Sequence, residues 1–156
     1  MKIFVLAFCA TSAILSGCTS VPMADPELSA KAKEFNPPTE GNSGLYIYRE
    51  KSFGGGALMK DIWVDDECIG ETGGMGNFFY HEVAGGEEHT ISTESEFSPN
   101  DLVVQTDPGE LYFFHQYIKM GLFVGGANIE QVDAATGKEE VSALELAVKG
   151  NCSSTR

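Results

Sequence analysis

The chain has 156 residues, 42% of them hydrophobic and 21% charged, with 18 Gly, 10 Phe, 5 Tyr and a single Trp. That length suits one domain of ordinary size, excludes a barrel enzyme or a doubly wound two-half fold, and carries too much apolar material for wholesale disorder. Lys and Arg number 10 against 23 Asp and Glu, a formal charge of -13 at pH 7, which repels phosphate backbones and anionic headgroups, so nucleic acid is not an expected partner.

Residues 1–17 read as an export signal. Lys2 supplies the positive start, Ile3 to Leu15 form an apolar run, and Ser16 and Gly17 close it with small residues before Cys18. As a helix, residues 3–17 would reach about 22 Å against roughly 30 Å of hydrocarbon, too short to span a bilayer. The four residues Leu15-Ser16-Gly17-Cys18 resemble the lipobox of bacterial lipoproteins. That resemblance implies cleavage between Gly17 and Cys18, a diacylglycerol on the Cys18 sulfur and a further acyl chain on its amino group. Thr19 stands where many inner-membrane lipoproteins carry Asp, which implies a destination on the periplasmic face of the outer membrane. The membrane is then a partner through Cys18, with each buried methylene contributing about 0.8 kcal/mol and the acidic body contributing nothing. The competing reading is an ordinary cleaved signal with a chance cysteine.

Residues 18–43 carry Pro22, Pro26, Pro37 and Pro38 among small and polar neighbours, the composition of a tether. Within it a short helix is expected over 26–35. Asp25 suits the N-cap, Pro26 the first turn, and Leu28, Ala32 and Phe35 fall on one stripe. Asn36-Pro37-Pro38 would stop it.

From residue 44 to 148, short apolar runs alternate with Gly, Pro, Asp and Asn clusters, and the expected fold is mainly β. It reads as an antiparallel β-sandwich of about eight strands with the short N-terminal helix and a C-terminal helix. Strands are expected over 45–50, 58–64, 68–72, 77–83, 89–94, 102–106, 111–119 and 123–133. Asp65-Asp66 predicts a tight hairpin and Asp107-Pro108-Gly109-Glu110 a type II turn. Strand 111–119 is bulky on both faces and should be central and covered on each side. Residues 139–148 place Val141, Leu144 and Val148 at helical spacing, and helix is favoured over strand. A polar tail follows at 149–156.

Val64-Asp65-Asp66, Ile69-Gly70-Glu71-Thr72, Phe79-Tyr80, Gly85-Gly86 and His89-Thr90-Ile91 together resemble the β-sandwich modules of surface layers named for the motif Pro-Glu-Gly-Ala. With Tyr46-Ile47-Tyr48-Arg49 at the start and Pro108-Gly109-Glu110-Leu111-Tyr112-Phe113 near the end, residues 26–148 are similar to a bacterial lipoprotein family, domain of unknown function 2846. Asp66 departs from the hairpin pattern, where Gly is usual. The resemblance implies a sandwich and transfers no catalytic residue.

Cys68 and Cys152 remain once Cys9 leaves with the signal and Cys18 is acylated. In an oxidising compartment they invite a disulfide, which across about 84 residues would contribute roughly 4 kcal/mol; the alternative is a strand cysteine and a solvent-facing thiol. His81, His89 and His115, beside Glu82, Glu87 and Glu88, lack any metal-ligand spacing, so structural histidines are expected and no metal or cofactor. Asp61, Asp65, Asp66, Glu67 and Glu71 form an acidic edge without the ligand order of a calcium loop. Gly54-Gly55-Gly56 and Gly73-Gly74-Met75-Gly76 lack the Lys-Ser or Lys-Thr of a phosphate loop and read as mobile. Ser92, Ser95 and Ser98 near His89 form no nucleophile elbow. The expected function is a lipid-anchored envelope protein with a non-catalytic binding or scaffolding sandwich and an envelope protein or glycan as partner. The alternatives are a small-ligand or cation binder and, behind it, a small hydrolase.

Overall fold

The computed structural model describes residues 20–52, 57–95, 100–119, 121–122 and 125–153. The expected export signal, the expected cleavage site at Gly17 and Cys18, and the expected lipidation of Cys18 lie outside these residues. The elements run α1 (Pro26–Ala32), β1 (Asn42–Arg49), β2 (Lys60–Val64), β3 (Glu67–Thr72), β4 (Asn77–Ala84), β5 (Glu88–Thr93), β6 (Asn100–Gln105), β7 (Leu111–Lys119), β8 (Gly126–Val132) and α2 (Ala134–Ser142). The expected mainly-β class stands.

Two four-stranded sheets form, with orders β4-β1-β7-β8 and β3-β2-β5-β6. Strand side chains alternate between faces, and β1 uses both. Leu45 and Ile47 meet Ile62, Val64, Ile91 and Phe114 between the sheets. Tyr46 and Tyr48 point the other way, into a second core with Phe78, Phe113, Val141 and Leu144 that packs against the helices. The molecule therefore has three layers: sheet, sheet and helices. Burying each large apolar side chain contributes about 1.5–3 kcal/mol, so the helices are held by their aromatic floor. Strand β7 lies between β1 and β8, covered on both faces as its bulk predicts. Its pairing with β1 is parallel, Tyr46 opposite Phe113, whereas the other strand pairs are antiparallel.

The turns follow their residues. Asp65 and Asp66 take φ of 50° and 65°, the left-handed pair that a two-residue hairpin needs. Gly109 takes φ of 86° and Glu110 N donates to Asp107 O at 3.3 Å, the third position and closing bond of the expected turn.

Three expectations change. From Val21 onward the expected tether is part of the domain: Val21 is 8% exposed and belongs to the inter-sheet core. Pro22 O accepts from Val148 N, and Ala24 N donates to Leu146 O, both at 2.8 Å. A residue before proline is pressed into extended geometry, which suits a segment that pairs as a strand does.

Helix α1 stops at Ala32, and Phe35 turns left-handed with φ of 51°. Its ring then packs tilted against Tyr46 and Phe113, with centroids 5.3 Å and 6.0 Å away. The docking face is centred on Ser29, buried at 1%, while Leu28 is 57% exposed. Helix α2 begins and ends earlier than expected, because Asp133 caps it by accepting from Ala135 N and Thr136 N at 3.0 Å. Leu146 and Ala147 are extended instead and bridge to Phe78 and Met23.

Candidate functional site

A groove of about 490 Å³ opens between α1, β1, β4 and the extended segment 146–149. Its walls are mostly apolar because Leu28 and Ala32 come from the outward turns of α1, and Leu146 to Val148 from a strand-like segment. Tyr46 and Tyr80 form the aromatic side, their rings 4.8 Å apart. Tyr46 OH donates to Ala32 O at 2.7 Å, and burial pushes its pKa up to about 12. Tyr80 OH donates to Glu82 at 2.9 Å; burial and then that carboxylate raise the Tyr80 pKa.

Two of the charged groups at the groove, Glu82 and Lys149, already have protein partners. Glu82 accepts from Thr39 N at 3.2 Å and Asn42 Nδ2 at 3.1 Å as well as from Tyr80. Burial would raise its pKa, but those donors hold it low. Lys149 Nζ lies 3.1 Å from His81 Nδ1. Desolvation lowers the pKa of Lys149, and burial followed by the Lys149 charge lowers that of His81. A lowered His81 pKa favours the neutral imidazole, which can accept from Lys149 Nζ. Such a groove can take an apolar or amphipathic moiety, and none of its side chains is a poised nucleophile with a general base.

The three histidines are dispersed. His81 faces Lys149. His89 faces Asp65 at 2.6 Å and Ala84 O at 2.8 Å. His115 stacks on Tyr48 at 5.3 Å, with Glu50 and Glu130 each 3.8 Å away. Among the described residues no three His, Cys, Asp or Glu side chains are placed to hold a metal.

The acidic edge divides. Asp65 is committed to His89 and to Thr90 N at one end of the β2–β3 pair. Asp61 lies opposite Glu71 at the other end, fully buried, and accepts from Ser153 N at 3.0 Å. Glu94 joins this second group, a neighbour that becomes visible only once β2 and β5 are paired.

Cys68 and Cys152 are disulfide-bonded, with Cα atoms 6.1 Å apart, and the bridge brings Ser153 to Asp61. Of the glycine runs, 54–56 lies outside the described residues. The run 73–76 is a tight turn, not a loose loop: Gly76 N donates to Gly73 O at 3.0 Å and Gly73 N to Asn77 Oδ1 at 2.9 Å. Ser92 Oγ donates to Asp101 at 2.6 Å, on the strand face opposite His89; Ser98 lies outside the described residues.

Comparison with known proteins gives two matches. The family described as Protein of unknown function (DUF2846) matches residues 39–127, which take in β1 to β7 and leave out both helices and Cys152. A protein of Haemophilus influenzae described as "Uncharacterized protein" is 54% identical over 135 residues, 86% of this chain and 79% of its own length. No solved structure matches.

Proposed function

The chain belongs to the DUF2846 family of proteins of unknown function, and from that premise we propose that it is an envelope lipoprotein. Acyl chains on Cys18 hold it to the periplasmic face of the outer membrane, and the sandwich acts as a non-catalytic module that binds an envelope protein or glycan. The observation that carries this reading is the Cys68–Cys152 bridge, taken with an N-terminal sequence through Leu15-Ser16-Gly17-Cys18 that reads as a lipoprotein export signal. Disulfides persist in oxidising compartments such as the periplasm, so bridge and signal support the same address.

The groove beneath α1 favours one second reading, in which the module takes a small amphipathic ligand. A cation at the acidic hairpin has less support, because the Asp65 carboxylate is already bonded to His89 and Thr90.

The test is mass spectrometry and fractionation of the full chain and of Cys18→Ser expressed in a Gram-negative host. The wild type should begin at a triacylated Cys18 and sediment with membranes through a high-salt wash. The C18S protein should lose the acyl mass and leave the membrane fraction. A C18S protein that still sediments through that wash overturns the anchor.

A further inference from the structure

The folded domain starts almost at the expected anchor. Val21 is in the core and Pro22 is bonded to Val148, so the chain is tied down three residues after Cys18. Three residues of extended chain reach at most about 11 Å. A body acylated at Cys18 therefore has no free tether with which to stand away from the bilayer, and the face around Val21 must lie at the headgroups.

That face differs from the rest of the surface. A hollow of about 330 Å³ opens beside Val21, lined by Ser20, Met23, Ala57, Met59, the 73–76 turn and Asn77, without one charged side chain. The whole chain carries -13, so most surfaces would be repelled by an anionic leaflet, and a face whose hollow is lined without an acidic side chain would not. Met75 stands at the tip of the turn, 77% exposed, and Met23 is 44% exposed. The turn is braced, since Ser52 N donates to Gly74 O at 2.9 Å and Gly76 N to Gly73 O. A Cβ on Gly76 would come within 2.9 Å of Lys51 Cγ, so a basic side chain packs directly at the turn, as interfacial sites favour. Methionine is unbranched and adapts to an irregular apolar environment.

We propose that the face bearing Met23 and Met75 is the membrane-contacting surface, and that the Met75 turn enters the headgroup region of a phospholipid bilayer and sets the orientation of the sandwich. This inference rests on acylation of Cys18. It makes the anchor a two-part device in which lipid chains supply the adhesion and the methionine turn fixes the angle.

The test uses the mature full chain purified from membranes and reconstituted into phosphatidylethanolamine–phosphatidylglycerol vesicles doped with brominated phosphatidylcholine. Two variants carry a reporter: Met75→Trp at the turn, and Val103→Trp, 59% exposed on the outer face of β6. The native Trp63 is 4% exposed and gives a constant background, and thermal melts check that both variants fold. With the acyl mass present, M75W should shift to the blue and lose intensity to the bromolipid while V103W does neither. Acylated, vesicle-bound protein in which M75W behaves like V103W overturns the contacting face and leaves the anchor standing. Absence of the acyl mass overturns the anchor, and this inference with it.

Discussion

His89 Nδ1 stands 2.6 Å from the Asp65 carboxylate while its Nε2 lies 2.8 Å from Ala84 O. One ring thus ties the β2–β3 hairpin to the end of β4. With acceptors on both nitrogens, it is fully satisfied only when doubly protonated. Burial disfavours that charge, but Asp65 and the Ala84 carbonyl outweigh it and raise the His89 pKa. Burial likewise opposes the Asp65 charge, and the bonds from His89 and Thr90 N outweigh it and lower the Asp65 pKa. The His89 contribution is full below its unfolded value and fades as pH rises through the folded one. The Asp65 contribution is full above its unfolded value and fades as pH falls. The pair therefore stabilises most between roughly pH 4 and 6.5. Asp65→Asn, which still tolerates positive φ, should cost about 1 kcal/mol in that window after allowance for solvent at the exposed carboxylate. Denaturant melts from pH 4 to 9 check this; a cost that does not shrink at high pH would refute the charged pair.

Gly137 lies in the second turn of α2, where a helix former would ordinarily serve better. The reason is contact: a Cβ there would come within 2.3 Å of Phe113 Cβ and Cγ. Gly137→Ala would gain helix propensity and lose the close approach, and the clash wins because both partners sit in a packed layer. We expect a loss of about 1–3 kcal/mol in thermal unfolding, with near-ultraviolet circular dichroism reporting a disturbed aromatic floor. A stabilised G137A protein would show that the helix can lift off Phe113 without cost.

The strands were legible because their side chains obey a period of two between turn-forming residues, as at Asp65-Asp66 and Pro108-Gly109. The helix layer was less so. Glycine is a poor helix former, yet Gly137 is the position that lets α2 lie on Phe113. Ser29 lies outside the expected stripe of Leu28, Ala32 and Phe35, yet it is buried, and its hydroxyl donates to Glu145 at 2.7 Å and accepts from Leu146 N at 3.0 Å. Those partners lie 116 and 117 positions away, a distance no local pattern encodes. The same holds for Gln116, whose amide is satisfied between the sheets by Thr72 and Thr93. Of the candidate site, the cysteine pair could be named from the sequence but not joined, and the groove could not be foreseen. One of its walls is the extended stretch that begins at Leu146, within the 139–148 run whose spacing favours a helix.

The Cys68–Cys152 bridge closes a loop across 84 positions, long enough for its loss to cost about 4 kcal/mol in the chain-entropy model. It also holds Gly150 N on Ile69 O at 3.0 Å and Ser153 on Asp61. Cys152→Ser should therefore lower the unfolding midpoint and release the tail to proteolysis before the sandwich opens. Limited digestion followed by intact mass measures the order of these events. Tail cleavage at the same rate in C152S and wild type would show that the bridge does not hold the tail.

Asp61, Glu71 and Glu94 bring three carboxylates together, with Ser153 bonded to Asp61 and Lys60 3.3 Å from Glu94. Burial and then the Asp61 charge raise the pKa of Glu71 and of Glu94. A raised carboxylate holds its proton more tightly in the folded state, so its ionisation costs stability as pH climbs from the unfolded value through the folded one. This is the reverse of Asp65: the cost is absent below the ordinary carboxylate value and grows as pH rises above it. Glu71→Gln removes one charge and keeps an acceptor for Ser153, so it should stabilise the protein at pH 7 by a few tenths to about 1 kcal/mol, with the gain vanishing near pH 4. Glu94→Gln also loses the charge partner of Lys60 and should gain less. Chemical denaturation of both variants at pH 4 and pH 7 separates the two effects. An E71Q protein no more stable than wild type at pH 7 would mean that the cluster already shares its charge with solvent.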